Sequence, residues 1–203
     1  RGGRSVLGIR PLLWKNGWPV AGEVFKEGTY EIESERRGYA LELAVDFVRM
    51  EYTRHRFWEK DDTPVVPLKS QTLEDVIGTW PQGKINVRIG DYMFRPHQKW
   101  TITAVPDGGG CLGGPYYKIV IEGTNRALAA TADEEVVTVP EFTGAPEQLW
   151  RIDQLTDGTY RIMPKEVPGT DKELVLVSVG DSTPSLGEFD MNSDNSKWNF
   201  RDH

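Results

Sequence analysis

The sequence contains one cysteine, Cys111, among 203 residues. A single thiol excludes an intrachain disulfide and any zinc site built on cysteines. Three histidines, His55, His97 and His203, lie far apart and show no metal-ligand spacing. Apolar runs of the roughly 18–20 residues that cross a membrane are missing. Clustered basic charge is missing too, since 24 Lys and Arg against 31 Asp and Glu give a net charge of −7. That balance argues against nucleic acid, whose phosphates require clustered cations. The first eight residues, RGGRSVLG, have neither an initiating Met nor the apolar core of a signal peptide. The chain therefore reads as a piece of a longer one.

Helix signals are scarce. Thirteen prolines and 21 glycines punctuate the chain, and few windows reach the 10–12 residues that a packed helix needs. Leu73–Ile77 and Arg36–Glu51 are the best helix candidates. In the second, Tyr39, Leu41, Leu43, Val45 and Phe47 alternate with Ala40, Glu42, Ala44 and Asp46, a period of two that predicts a strand with Glu42 on its polar side. Aromatic residues are plentiful: seven Trp, seven Tyr and seven Phe exclude a disordered chain. Short β-rich runs recur at Lys84–Ile89, Trp100–Val105, Tyr116–Ile121, Glu135–Val139, Tyr160–Met163 and Leu174–Val179. Turn sequences such as Pro106-Asp107-Gly108 and Thr156-Asp157-Gly158 separate them. The expected class is all-β.

Internal repeats narrow that class. Gln98-Lys99-Trp100, Gln148-Leu149-Trp150 and Ser196-Lys197-Trp198 stand 50 and 48 residues apart. Gly28-Thr29-Tyr30-Glu31-Ile32 nearly duplicates Gly158-Thr159-Tyr160-Arg161-Ile162, and Gly114-Pro115-Tyr116-Tyr117-Lys118-Ile119 is a looser copy. A small apolar pair follows each, at Ala40-Leu41, Ala127-Leu128 and Leu174-Val175. A repeat of 40–50 residues marks a unit that buries its apolar face only against its siblings. Three such units predict a β-trefoil over residues 27–203, with lobes at about 28–102, 103–152 and 153–203. The tryptophans would be core, and the residue two before each would satisfy backbone groups in a turn. The Tyr-to-Trp separation is 70 residues in lobe one but 33 and 38 in the others, which predicts an insertion near 49–71. A start of lobe one nearer residue 71 is the alternative register.

The Gln-x-Trp repeats resemble those of ricin-B-type trefoil lectins, which are carbohydrate-binding modules. Residues 1–26 are similar to something else. Arg10-Pro11-Leu12-Leu13-Trp14-Lys15-Asn16-Gly17-Trp18-Pro19-Val20 resembles the segment that closes the last propeller blade in glycoside hydrolase family 43, the arabinan- and xylan-degrading enzymes. Together the resemblances imply the C-terminal part of such an enzyme with an appended trefoil, secreted or periplasmic, whose partners are plant polysaccharide and the catalytic propeller. That family's catalytic carboxylates lie on earlier blades, so no catalytic residue is assigned here. No cofactor or metal is expected. The positions that carry disulfides in many ricin-type trefoils hold Ala40, Ala127 and Leu174, so packing must hold these lobes.

The same resemblance implies one pocket per lobe, made of an acid after the small apolar pair, an aromatic platform, and a polar residue before Gln-x-Trp. A carboxylate accepts hydrogen bonds from sugar hydroxyls, and a ring stacks on the sugar's apolar face. Lobe one offers Glu42, Tyr92 or Phe94, and His97. Lobe two has Ala129 in place of the acid, then Phe142 and Glu147. Lobe three has Val175 in place of the acid, then Phe189 and Asn195. The candidate carbohydrate contacts are therefore Glu42, Tyr92, His97, Phe142, Phe189 and Asn195. Each has a plainer reading, as a solvated acid, a packing ring or a loop residue. GGGCLGG spells a dinucleotide-type glycine pattern without the helix that must follow it. Asp190–Asp194 lacks the glycine and distal glutamate of a calcium loop.

Overall fold

The structure is a computed structural model, and it describes residues 10, 12–15, 17–22, 24–45, 72–111 and 114–202. A hairpin of β1 (Leu12–Lys15) and β2 (Trp18–Ala21) comes first. Twelve strands follow as three sets of four. Lobe one holds β3 (Gly28–Ser34), β4 (Ala40–Leu43), β5 (Ile85–Gly90) and β6 (Trp100–Cys111). Lobe two holds β7 (Gly114–Ile121), β8 (Ala127–Ala130), β9 (Val136–Val139) and β10 (Trp150–Gln154). Lobe three holds β11 (Tyr160–Pro164), β12 (Val175–Val179), β13 (Thr183–Gly187) and β14 (Trp198–Asp202). Lobe one thus begins at Gly28, and the start near residue 71 is not the one adopted.

The first and last strands of each lobe close a six-stranded barrel. Pairing runs β3–β6–β7–β10–β11–β14 and back to β3, all antiparallel. The middle strands make three hairpins, β4–β5, β8–β9 and β12–β13. They join one another at Ile85↔Thr138, at the Glu135↔Ser185 bridge, and by the Ile89 N–H donating to the Ser182 carbonyl. A closed barrel has no exposed edge, and three hairpins on one end of it make a β-trefoil.

The repeated residues are the ones that close it. Tyr30 lies opposite Trp100, Tyr117 opposite Trp150, and Tyr160 opposite Trp198. Each tryptophan is fully buried, and its indole N–H donates to a leucine carbonyl in its own lobe's hairpin. The acceptors are Leu41 at 2.7 Å, Leu128 at 2.9 Å and Leu176 at 2.8 Å. Burying a large ring costs nothing in unmet polarity when its one donor is satisfied. Two residues past each tyrosine, Ile32, Ile119 and Ile162 form a fully buried layer.

These bonds correct the expected register of lobe three. The residue equivalent to Leu41 and Leu128 is Leu176, so the apolar pair is Val175-Leu176, one residue later than expected. Val177, not Val175, occupies the acid position there.

The N-terminal segment is part of the packing. Phe25 fills the floor of the barrel, with ring centroids 5.3 Å from Tyr30, 5.5 Å from Tyr117, 5.7 Å from Tyr160 and 4.6 Å from Phe200. Hydroxyls of Tyr117 and Tyr30 donate to the carbonyls of Phe25 and Lys26.

Lobe one has 41 residues between β4 and β5, where lobe two has five and lobe three has three. The insertion expected at 49–71 lies outside the described residues. The residues from Thr72 that follow it are described. Thr72 and Asp75 form a reciprocal cap on α1 (Leu73–Gly78), the helix expected at Leu73–Ile77. Beyond α1, Trp80 is buried, and Arg126 of lobe two donates to the carbonyls of Pro81 and Gly83. The insertion is thereby sewn to the neighbouring lobe. Of the strand expected over Arg36–Glu51, residues 46–51 lie outside the described residues, and within 36–45 the strand is Ala40–Leu43, where every residue, Glu42 included, is buried.

Candidate functional site

Each lobe carries a loop between its third and fourth strands, and the residue two before the tryptophan holds that loop in shape. Gln98 Oε1 accepts from the N–H groups of Met93 and Arg95, while its Nε2 donates to the Asp91 carbonyl. Gln148 Oε1 accepts from the Thr143 N–H and hydroxyl, and its Nε2 donates to the Glu141 carbonyl. Ser196, which is shorter, donates to the carbonyls of Asp190 and Ser193. The three turns have the backbone-satisfying role expected of them.

Three of the expected aromatics occupy matching places on these loops, because Tyr92 and Phe142 each lie eight residues before their tryptophan and Phe189 lies nine. All three are half-buried against the outer barrel wall. The residue after each barrel tyrosine faces them. Lys118 Nζ sits 5.5 Å from the Phe142 ring centre, and the Arg161 guanidinium sits 5.0 Å from that of Phe189. Those two rings are therefore capped by cations. Lobe one differs, since Glu31 takes that place. Burial, then the charges of Glu31 and Glu122, push the Tyr92 hydroxyl up from its ordinary pKa. Glu31 is itself buried, and one of its oxygens has no partner among the described residues. Arg201 pairs instead with Glu33 at 2.7 Å. Burial and the neighbouring Glu33 push the Glu31 carboxyl up to about 7.

Glu42 and His97, expected as sugar contacts, are brought together in the interior and not at the surface. Glu42 is 6 % exposed and His97 likewise 6 %. Arg88 Nε donates to Glu42 Oε1 at 2.5 Å, Gln98 Nε2 donates to Oε2 at 2.6 Å, and His97 Nε2 lies 3.5 Å from Oε2. Burial alone would raise this carboxyl, but the hydrogen bonds from His97, Arg88 and Gln98 outweigh it and hold Glu42 below the usual range. Gly90 makes the room, since a Cβ there would lie 3.4 Å from Glu42 Oε1. With both oxygens hydrogen-bonded in the interior, Glu42 braces lobe one. The polar, solvent-facing position read from its alternation is corrected accordingly. Asn195 is exposed on lobe three, with its carbonyl accepting from the Ser178 hydroxyl.

Of the two aromatics offered for lobe one, Tyr92 is half-buried and Phe94 is the exposed one. Phe94 is 76 % exposed and its φ is +56°. Lobe two has Gly144, with φ +81°, at the matching position four residues before its Gln. Left-handed backbone is ordinary for glycine and unfavourable for a bulky ring. Phe94 leans on Tyr92 with centroids 4.7 Å apart, beside Met93, which is 57 % exposed. An apolar, largely aromatic rim is thus displayed on a loop whose amides Gln98 fixes.

A second concavity, of about 890 Å³, separates the N-terminal hairpin from the barrel floor. Its lining includes Leu13 and Trp14 of the hairpin and Phe25, Arg151, Asp153 and Arg161. Among the described residues no group of three or more His, Cys, Asp or Glu could hold a metal, and no helix is long and apolar enough to cross a membrane.

Residues 96–184 match the family described as ricin-type beta-trefoil lectin domain-like. No curated protein matches the chain in sequence. Among solved structures, a mosquitocidal holotoxin superposes with a TM-score of 0.60 at 13 % identity, over 91 % of this chain and 18 % of the toxin. The designed three-fold symmetric protein ThreeFoil gives 0.56 at 19 % identity, over 87 % of this chain and all of that one. An exo-β-1,3-galactanase from Clostridium thermocellum gives 0.53 at 16 % identity, over 91 % of this chain and 32 % of the enzyme. The chain thus spans under a third of the toxin and of the enzyme, and the whole of the designed trefoil. What these likenesses share with it is the fold.

Proposed function

We propose that this lectin-like β-trefoil is a non-catalytic, carbohydrate-associated module of a plant-polysaccharide hydrolase of the arabinan- or xylan-degrading type, and that it holds glycan through the Tyr92–Phe94 rim of lobe one. The observation that carries this reading is Phe94. The fold does not need a ring there, since lobe two uses glycine, and the ring sits exposed in a backbone conformation that costs about 1 kcal/mol or more. Exposed aromatics held on a pinned loop are suited to stacking on the apolar face of a sugar. The ricin-type match, the likeness of residues 10–20 to the family 43 closing segment, and a trefoil within a galactanase all support the same class of partner. One shallow site of this kind gives a Kd on the order of 0.1–1 mM. Affinity electrophoresis of the chain through arabinan, xylan and galactan tests it. Retardation by at least one is expected, and unretarded migration at high polysaccharide load overturns the reading.

A second reading, in which the domain only buttresses a catalytic propeller, is favoured by the hairpin. Trp18 is 75 % exposed there, while Phe25, a few residues on, is locked into the barrel floor. Copurification with a propeller fragment, without any glycan retardation, would select it.

A further inference from the structure

Lobe one differs from its sisters in the charge beside its loop ring. Lys118 caps Phe142 in lobe two and Arg161 caps Phe189 in lobe three, whereas Glu31 takes the matching place in lobe one, where its charge reaches Tyr92. A cation is attracted to the negative face of a ring, and an anion is not. Glu31 is 3 % exposed, and its Oε1 is buried without a hydrogen-bond partner among the described residues. Arg201 lies directly across the β3–β14 pairing, but its Nε is given to Glu33 Oε2 at 2.7 Å. Burial and the Glu33 charge outweigh that of Arg201 and push the Glu31 carboxyl up to about 7. The other charged groups of the surrounding elements are Lys99, which precedes Trp100 on the neighbouring strand, Glu122, whose N–H donates to the Lys99 carbonyl, and Asp202 at the end of β14.

The loop that carries Tyr92 is the one proposed above to hold glycan. Phe94 leans on Tyr92 with centroids 4.7 Å apart, and Gln98 pins the Met93 and Arg95 amides. We infer that Glu31 is a pH-dependent latch on this loop: protonated, it seats Tyr92 and holds the Phe94 rim in its binding form, and ionised, it frees the loop and weakens glycan binding. The inference rests on the reading of that rim as the glycan site. Its physical cause is solvation, because a buried carboxylate gains by reaching water. Residues 91–95 belong to no strand, so they can lift from Glu31 without breaking a barrel pairing. A freed loop lets the carboxyl return toward its ordinary value, so each pH unit above about 7 favours the freed form by up to about tenfold. A site that binds only when seated loses affinity in proportion. A neutral polysaccharide adds no pH dependence of its own.

The test is amide hydrogen exchange on the whole chain between pH 6 and 8.5, corrected for the intrinsic rate, with arabinan and galactan retardation measured over the same range. Protection of the Met93 and Arg95 amides is expected to fall about tenfold as pH rises, while that of Thr143, pinned in the same way by Gln148 in lobe two, stays constant. Retardation is expected to weaken about three- to tenfold. Glu31→Gln, which is neutral throughout, should keep both at their pH 6 values, and Glu31→Lys, which gives lobe one the cation of lobe two, should do the same. His97 stands in this loop against Glu42 and is a rival source of pH dependence, so a response that persists in both variants overturns the inference. So does protection in the parent that ignores pH, or retardation that holds steady while protection falls. Retardation absent at every pH, with protection still falling at Met93 and Arg95, overturns the glycan reading and upholds the latch.

Discussion

Lobes one and two are built on the same plan and differ at the positions that the plan leaves free. Both bury a tryptophan against a leucine carbonyl, and both pin the preceding loop with a glutamine. Lobe two fills every variable position economically. Ala129 stands at the acid position, Gly144 takes the left-handed turn, and Lys118 caps the loop's aromatic ring. Lobe one places Glu42, Phe94 and Glu31 at those same three positions. Each of the three works against stability unless something compensates it. A buried acid needs partners, a left-handed phenylalanine stores strain, and a buried carboxylate beside another resists ionisation. Departures that a sister lobe shows to be unnecessary for the fold are where function is best sought.

The largest expected effects test the shared plan. Trp100→Ala, Trp150→Ala and Trp198→Ala should each destabilise by about 3–5 kcal/mol in urea denaturation, since each empties an equivalent, fully packed site. A much smaller loss in one lobe would break the threefold account. Next is the brace of lobe one. Glu42→Ala should cost about 2–3 kcal/mol, because Arg88, His97 and Gln98 lose their common acceptor while Gly90 leaves the space unfilled. Lobe two, with Ala129 at that position, places Val137 opposite it where lobe one places Arg88 opposite Glu42.

Glu31 predicts a pH signature confined to lobe one. Its folded carboxyl titrates near 7 and its ordinary value is 4.5, so the fold favours the protonated form. The stability this contributes is complete below about pH 4.5 and is lost as pH rises through 7. Glu31→Gln should remove that decline and leave the protein about 1–3 kcal/mol more stable than the parent at pH 8. Thermal melts between pH 5 and 8.5 read this directly. Lys118→Met, at the matching place in lobe two, leaves Glu31 in place and should leave that decline unchanged.

The parts of this molecule that were legible in its sequence are those each lobe needs by itself. The tryptophans, the tyrosines and the residue two before each tryptophan recur because a barrel and a pinned turn require them in every copy. The helix expected at Leu73–Ile77 is found at Leu73–Gly78, and the cap formed by Thr72 and Asp75 was not read from the sequence. Lobe three misled because Leu174, Val175 and Leu176 are all apolar and all buried, so only the Trp198 hydrogen bond selects the register. Glu42 misled because alternation describes one strand, whereas its partners arrive from residues 88, 97 and 98. The exposure of Phe94 was not legible because a left-handed turn normally announces itself by glycine. No local pattern reveals a ring placed there.

The smallest expected change in stability accompanies the most informative one in function. Phe94→Gly relieves the left-handed strain and gives lobe one the residue that lobe two uses. It should raise stability by about 0.5–1 kcal/mol, while Gly144→Phe should lower it by a similar amount. The decisive measurement is the retardation of Phe94→Gly by whichever neutral polysaccharide retards the parent, paired with its melting temperature. Lost retardation with an equal or higher melting temperature is the predicted result. Undiminished retardation by a well-folded Phe94→Gly protein would contradict the assignment of glycan binding to lobe one.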